Sequence, residues 1–238
     1  MPKRIRNTRD IVAYSRRLKN EIGARLGLDH KIFNLSLHRC GTASAALFMN
    51  KIGFSCQHWP GSDFDSRCEP FLHTLDTAGV WNFYRPFLKR HSSFHDVPIP
   101  FLYNDILNDF PDALYILIIR RPTAWIRSIR EHTEGRELDV LEKFQYWTAC
   151  ENRYSYLSQY KNEELEYGYM KFISSVTNTM VARRANFRIF NLESQTLAVS
   201  LAEFCGVTRL IPPWENVSRG AALDRHLAAQ GLRAGPGS

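Results

Sequence analysis

The chain has 238 residues, 44% hydrophobic and 23% charged, with a formal net charge of +7. That length suits one α/β domain with a full core, and the composition excludes a largely disordered chain. No apolar run reaches membrane-spanning length. The five cysteines (Cys40, Cys56, Cys68, Cys150, Cys205) show no C-x-x-C spacing. With no recognisable signal peptide, they point to a reducing cytoplasm rather than a disulfide framework.

In chain order, residues 1–30 come first, a basic arm. Residues 1–25 carry eight Lys/Arg against Asp10 and Glu21, which accounts for nearly all of the positive surplus. Such an arm can meet nucleic acid, a membrane surface or an acidic substrate. Ile11, Tyr14, Leu18, Ile22 and Leu26 recur at helical spacing, so it reads as a solvated amphipathic helix, with no nucleic-acid partner expected.

Residues 31–37 predict a strand, followed by the loop His38-Arg39-Cys40-Gly41-Thr42-Ala43-Ser44 and a helix to Lys51, stopped by Gly53. A strand turning sharply into a helix aims backbone N–H groups and the positive end of the helix dipole at one point, an anion site. Gly41 lets the backbone close on the anion, Arg39 adds a fixed charge, and Thr42 and Ser44 add hydroxyls. The loop departs from a Walker A sequence. Aligned on Gly41, Ser36 stands at the first glycine, Thr42 at the lysine and Ala43 at the magnesium-binding hydroxyl. A kinase built on it would lack two charge-stabilising parts.

A short strand is expected at 54–59, a polar turn at 60–65, a partly helical aromatic stretch at 66–90, and a loop or short extended segment at 94–99. A helix follows at 101–110, closed by Pro111-Asp112. Leu114–Ile119 is an unbroken apolar run, which suits the centre of a parallel sheet covered on both faces. Arg120-Arg121-Pro122 ends it and a helix starts with proline early. Helices are expected at 138–160 and 165–184, a strand at 187–190, a helix at 195–205 ended by Gly206, and a polar tail from Pro212-Pro213. The histidines offer no metal constellation by spacing; His91 and His95 sit in a polar, proline-flanked stretch. The alternation implies a three-layer α/β fold of P-loop NTPase type, a parallel sheet with helices on both faces. The main domain is 31–220, between the arm and a tail at 221–238.

Arg120, Pro122 and Ser128 form R-x-P-x5-S after the central strand, where open α/β sheets bind ligands. An arginine and a serine placed there can take a second phosphate. The two motifs, their order and spacing resemble the PAPS-dependent sulfotransferase family, most closely bacterial P-loop-like members. The resemblance extends to Asp96-Val97-Pro98, Phe110–Ala113, Leu201–Phe204 and Pro212–Asn216, and covers about residues 31–220.

It implies 3′-phosphoadenosine 5′-phosphosulfate as donor co-substrate and no metal. The first loop would hold the 5′-phosphosulfate through Arg39, the backbone of Cys40, Gly41, Thr42 and Ala43, and the Thr42 hydroxyl, with Ser44 offsetting the missing hydroxyl at Ala43. Arg120 and Ser128 would hold the 3′-phosphate, with Arg219 a further match. In-line transfer needs a base for the attacking hydroxyl and cations for the leaving phosphate. The family's base position falls on Asp96, with His95 second and His58 third; Arg39 is the cation. Arg121 stands where relatives often carry Asp or Asn. The implied acceptor is a small molecule or glycan. Three competing readings are a P-loop-type nucleotide or small-molecule kinase, a nucleic-acid-binding module using residues 1–25, and a non-catalytic nucleotide-binding relative.

Overall fold

The computed structural model describes residues 30–58, 62–208 and 211–216. The basic arm, Arg219 and the tail at 221–238 lie outside the described residues. Five strands, β1 (Ile32–Asn34), β2 (Cys56–Gln57), β3 (Ser93–Phe94), β4 (Leu114–Ile119) and β5 (Asn186–Asn191), form one sheet in the order β2-β3-β1-β4-β5. Every pairing is parallel. The expected three-layer α/β architecture is therefore present, and the turn after β1 lies where the strand order reverses, the usual binding crevice of such sheets.

β4 shows why the sheet is covered twice. Its side chains alternate between two clusters: Tyr115 and Leu117 enter the larger one with Phe33, Leu35 and Trp125, while Ile116 and Ile118 enter the smaller one with Ala45, Phe48 and Leu201. The smaller cluster is closed by α1 (Thr42–Lys51) and a C-terminal helix, Leu197–Phe204. The larger one is closed by helices 62–74, 77–84 and 103–109, then α5 (Pro122–Thr133), α6 (Val140–Cys150) and α7 (Asn162–Ala182). In chain order, the α-helices among the described residues are α1 (Thr42–Lys51), α2 (Ser62–Thr74), α3 (Thr77–Tyr84), α4 (Tyr103–Asp109), α5, α6, α7 and α8 (Leu197–Phe204).

Several expected boundaries move for identifiable reasons. β1 ends at Asn34 rather than residue 37 because a side chain takes over from the ladder: Ile118 N–H donates to Ser36 Oγ at 2.6 Å. A short strand, β3 (Ser93–Phe94), lies between β2 and β1 and ends where the segment expected over 94–99 begins; that segment is otherwise a turn. α2 begins at Ser62, inside the stretch read as a polar turn. The single helix expected over 138–160 is two pieces. α6 starts at a capping box between Asp139 and Glu142 and stops where Glu151 adopts φ 64°. The connection to α7 is then fixed by Trp147 Nε1 donating to Tyr154 O and Tyr160 Oη donating to Asn152 O. The tail from Pro212 is less polar in effect than in composition: Trp214 packs on Phe48 at 5.6 Å, and Lys51 pairs with Glu215.

Candidate active site

The site is built on the turn between β1 and α1. Arg39 (φ 68°) and Gly41 (φ 78°) both take left-handed backbone, which reverses the chain within four residues. For Arg39 that conformation is unfavourable by about 1–2 kcal/mol and persists only where neighbours hold it. They do so at each residue of the turn. His38 N–H donates to Gln145 Oε1 at 2.9 Å and its carbonyl accepts from Trp125 Nε1 at 2.9 Å. The Arg39 carbonyl accepts from Arg120 Nη1 at 3.1 Å, and Cys40 N–H donates to Leu37 O at 3.0 Å. At Gly41 the φ of 78° disfavours any side chain, and a Cβ would stand 2.6 Å from Leu192 Cδ1, whose side chain would have to shift. The first intrahelical bond of α1 runs from Ala45 N–H to Gly41 O. The Thr42 and Ala43 N–H groups, in the first turn, have no i−4 carbonyl inside the helix and suit an anion, whereas Cys40 N–H, also expected to face it, is spent on Leu37 O.

The second expected anion site lies against the first. Ser128 Oγ accepts from Arg39 Nε at 3.2 Å, so the strand-end motif and the first loop touch through side chains. Arg120 Nε is buried without a hydrogen-bond partner among the described residues, although its Nη1 is engaged. An orphaned guanidinium N–H beside a helix N-terminus fits an anionic ligand, because leaving such a group unpaired is costly. Arg121 points elsewhere: it is largely exposed and pairs with Glu193 at 2.9 Å.

The base candidates separate clearly. Asp96 Oδ2 lies 3.1 Å from His58 Nε2 and accepts from Thr42 Oγ1 at 3.2 Å, while Oδ1 accepts from Val97 N–H at 2.9 Å. The third distance of this triangle, His58 Nε2 to Thr42 Oγ1, is 3.3 Å. Burial by itself would raise the Asp96 carboxyl; the hydrogen bond and charge of His58, with His38 and the Val97 N–H, outweigh it and hold the group well below the usual carboxylate range. Asp96 is therefore ionised, and joined to the 38–44 loop through Thr42.

His95, the second-ranked candidate, directly follows β3 in the sheet. It is buried, with Nδ1 accepting from Asn34 Nδ2 at 3.2 Å and Nε2 bonded to Ser93 Oγ at 2.7 Å. Both ring nitrogens are occupied by sheet residues, and burial, reinforced by His58, pushes its pKa down to about 3. That environment makes it a neutral structural residue rather than a base. His58, ranked third by sequence, is the histidine the fold places on Asp96.

Spacing also concealed a cluster. His38, His132 and Glu142 bring ligand atoms within 4.8 Å of one another. Both carboxylate oxygens of Glu142 are already taken by the Arg136 fork at 2.6 and 2.7 Å, and Arg39 adds positive charge near His132. Arg136 thus holds the carboxylate, and His132 on α5 lies 3.5 Å from Glu142 on α6. Sequence reasoning missed the loop's holders, Trp125, Gln145 and Tyr169. Their positions carry only the signal of apolar-face residues on helices.

A parallel sheet with a glycine-turned loop at the switch point, basic groups converging on it and an ionised carboxylate beside it define an anion-binding α/β enzyme site. A family model described as a sulfotransferase domain matches residues 31–197, well over half of the chain, and the protein belongs to that family. Membership makes it a transferase. No curated protein matches the chain. Among the described residues no helix is long and apolar enough to cross a membrane.

Proposed function

We propose that the protein transfers a sulfuryl group from 3′-phosphoadenosine 5′-phosphosulfate to a hydroxyl of a small-molecule or glycan acceptor, in the cytoplasm. The observation that carries this reading is the convergence of two anion-binding elements, the 38–44 loop and the Arg120/Ser128 pair, on the crevice beside Asp96. A kinase reading is weaker, because Thr42 and Ala43 occupy the positions of the lysine and the magnesium-binding hydroxyl.

The co-substrate supplies an activated sulfuryl group on a phosphate leaving group and a second, 3′-phosphate anchor. The first-turn N–H groups of α1 and the Thr42 hydroxyl receive the 5′ end. Arg120 and Ser128 receive the 3′-phosphate, the Arg120 Nε finding there the partner it lacks. The cleft of about 650 Å³ between Leu192 and Trp214, which meets the Gly41 turn through Leu192, is our assignment for the nucleoside.

Asp96 orients the acceptor hydroxyl, and the proton is lost to the Asp96–His58 pair, whose Oδ2 and Nε2 lie 3.1 Å apart. The acceptor oxygen forms the new S–O bond as the bond from sulfur to the bridging oxygen breaks. Negative charge then grows on the leaving phosphate, where the helix N-terminus and Arg39 stabilise it. With the Arg39 Nε held by Ser128, the Nη edge of the guanidinium is the part assigned to that charge. A hydroxyl acceptor is favoured over an amine because an ionised carboxylate beside a histidine suits removal of a hydroxyl proton.

Calorimetry in EDTA tests the donor assignment. Adenosine 3′,5′-bisphosphate is expected to bind at least tenfold more tightly than AMP, and ATP no better than AMP. Equal binding of all three, or binding of ATP that appears only with magnesium, overturns it.

A further inference from the structure

We infer that Tyr169 is a positioning residue that sets the Arg120 anion site, and ties it to the donor loop, before any ligand binds. Where β4 ends, Arg120 has left the sheet, and its main-chain groups need partners. One phenol serves both: Tyr169 Oη accepts the Arg120 N–H at 3.0 Å and donates to the Arg120 carbonyl at 2.9 Å. Its proton being spent there, the remaining lone pair receives the Cys40 thiol at 3.8 Å. Burial pushes that thiol up to about 12, so it remains a protonated donor.

The ring carries the connection further. Tyr169 stacks on Trp125 at 4.6 Å and 26°, and both rings are buried. Trp125 Nε1 in turn holds the His38 carbonyl, while Arg120 Nη1 holds the Arg39 carbonyl. One side chain on α7 thus reaches both anion-binding elements, through Arg120 and Cys40 by hydrogen bonds and through Trp125 by packing. The inference rests on the donor reading above. It adds that the distance between the two anion sites is preset from α7, so the hydroxyl matters for a ligand with two separated anionic groups and little for a ligand with one.

Tyr169→Phe keeps the ring and its stack and removes only the hydroxyl. Calorimetry with the full chain, using adenosine 3′,5′-bisphosphate and AMP as probes, is expected to show about a tenfold loss for the bisphosphate and less than about twofold for AMP. A general loss of structure would weaken both alike, so equal losses, or no loss for either, overturn the inference. The wild-type protein separates this outcome from failure of the donor reading, which shows as no preference for the 3′-phosphate before any substitution is made. A second measurement covers poor folding of the variant. In ligand-free wild-type protein, hydrogen exchange resolved to single residues is expected to find the Arg120 amide protected to at least the level of Ile118. Exchange at the rate of an open loop amide overturns the inference.

Discussion

Replacing Arg120 with alanine removes two things of different reach, and their sizes follow from the geometry. The Nη1 bond to the Arg39 carbonyl is an ordinary charge-to-carbonyl contact at 3.1 Å. Its loss relaxes a left-handed residue of the donor loop and should weaken every ligand of that loop by about 1 kcal/mol, roughly fivefold. The Nε, buried without a partner, is where the 3′-phosphate would add a charge-assisted bond of about 1.5–3 kcal/mol. Arg120→Ala is therefore expected to weaken adenosine 3′,5′-bisphosphate by about 100-fold or more, and AMP by only about fivefold. Isothermal calorimetry at fixed ionic strength measures both. Arg121→Ala is the control, since that side chain is exposed and paired with Glu193, and it should change neither affinity by more than about twofold. Equal losses for the two nucleotides in Arg120→Ala would refute the assignment, because the residue would then act only through the loop.

Three further outcomes are expected. Gly41→Ala should destabilise the fold by about 1–2 kcal/mol in urea titration and abolish nucleotide binding; removing the Leu192 contact in a Gly41→Ala/Leu192→Ala double variant should not restore binding, because the φ of 78° is unchanged. Asp96→Asn should leave bisphosphate affinity within about threefold and lower turnover by about 10²–10⁴ once an acceptor is in hand, measured by release of the bisphosphate product; retained turnover would transfer the base role to His58. Acid should destabilise the protein before its carboxylates titrate. His95 and His132 have folded values lowered to about 3 and about 4, chiefly by burial. For a lowered value the stability is complete above the unfolded histidine range, near 6.5, and is lost as pH falls toward the folded values, approaching about 1.4 kcal/mol per pH unit for each group. Urea midpoints that stay flat from pH 7 to pH 5 would contradict the neutral state of the buried His95 and the half-buried His132.

Much of the site was legible because its parts are local. The 38–44 loop and the run Leu114–Ile119 with Arg120, Pro122 and Ser128 each sit on a contiguous strand-to-helix segment, where glycine, proline and apolar runs have direct conformational consequences. The candidate base was half legible. Asp96 could be located by its place before Val97-Pro98, but choosing between His95 and His58 requires knowing which imidazole β3 turns into the sheet. Alternation along a two-residue strand gives no pattern to read that from. The break after Cys150 was hidden for a similar reason: Glu151 in left-handed backbone is stabilised by the packing of Trp147, Asn152 and Tyr160 on the connection, none of which is a breaker residue.

By itself the sequence determined the class of fold and the position of the two candidate turns, because strand runs, helix starts and glycine turns depend on neighbours a few residues apart. Only the tertiary structure decided how those turns are joined. Arg39 meets Ser128 across 89 positions, Asp96 meets Thr42 across 54, and Arg120 meets Tyr169 across 49. Contacts at such separations exist only once the parallel sheet has brought the strand ends to one edge, and no local periodicity records them.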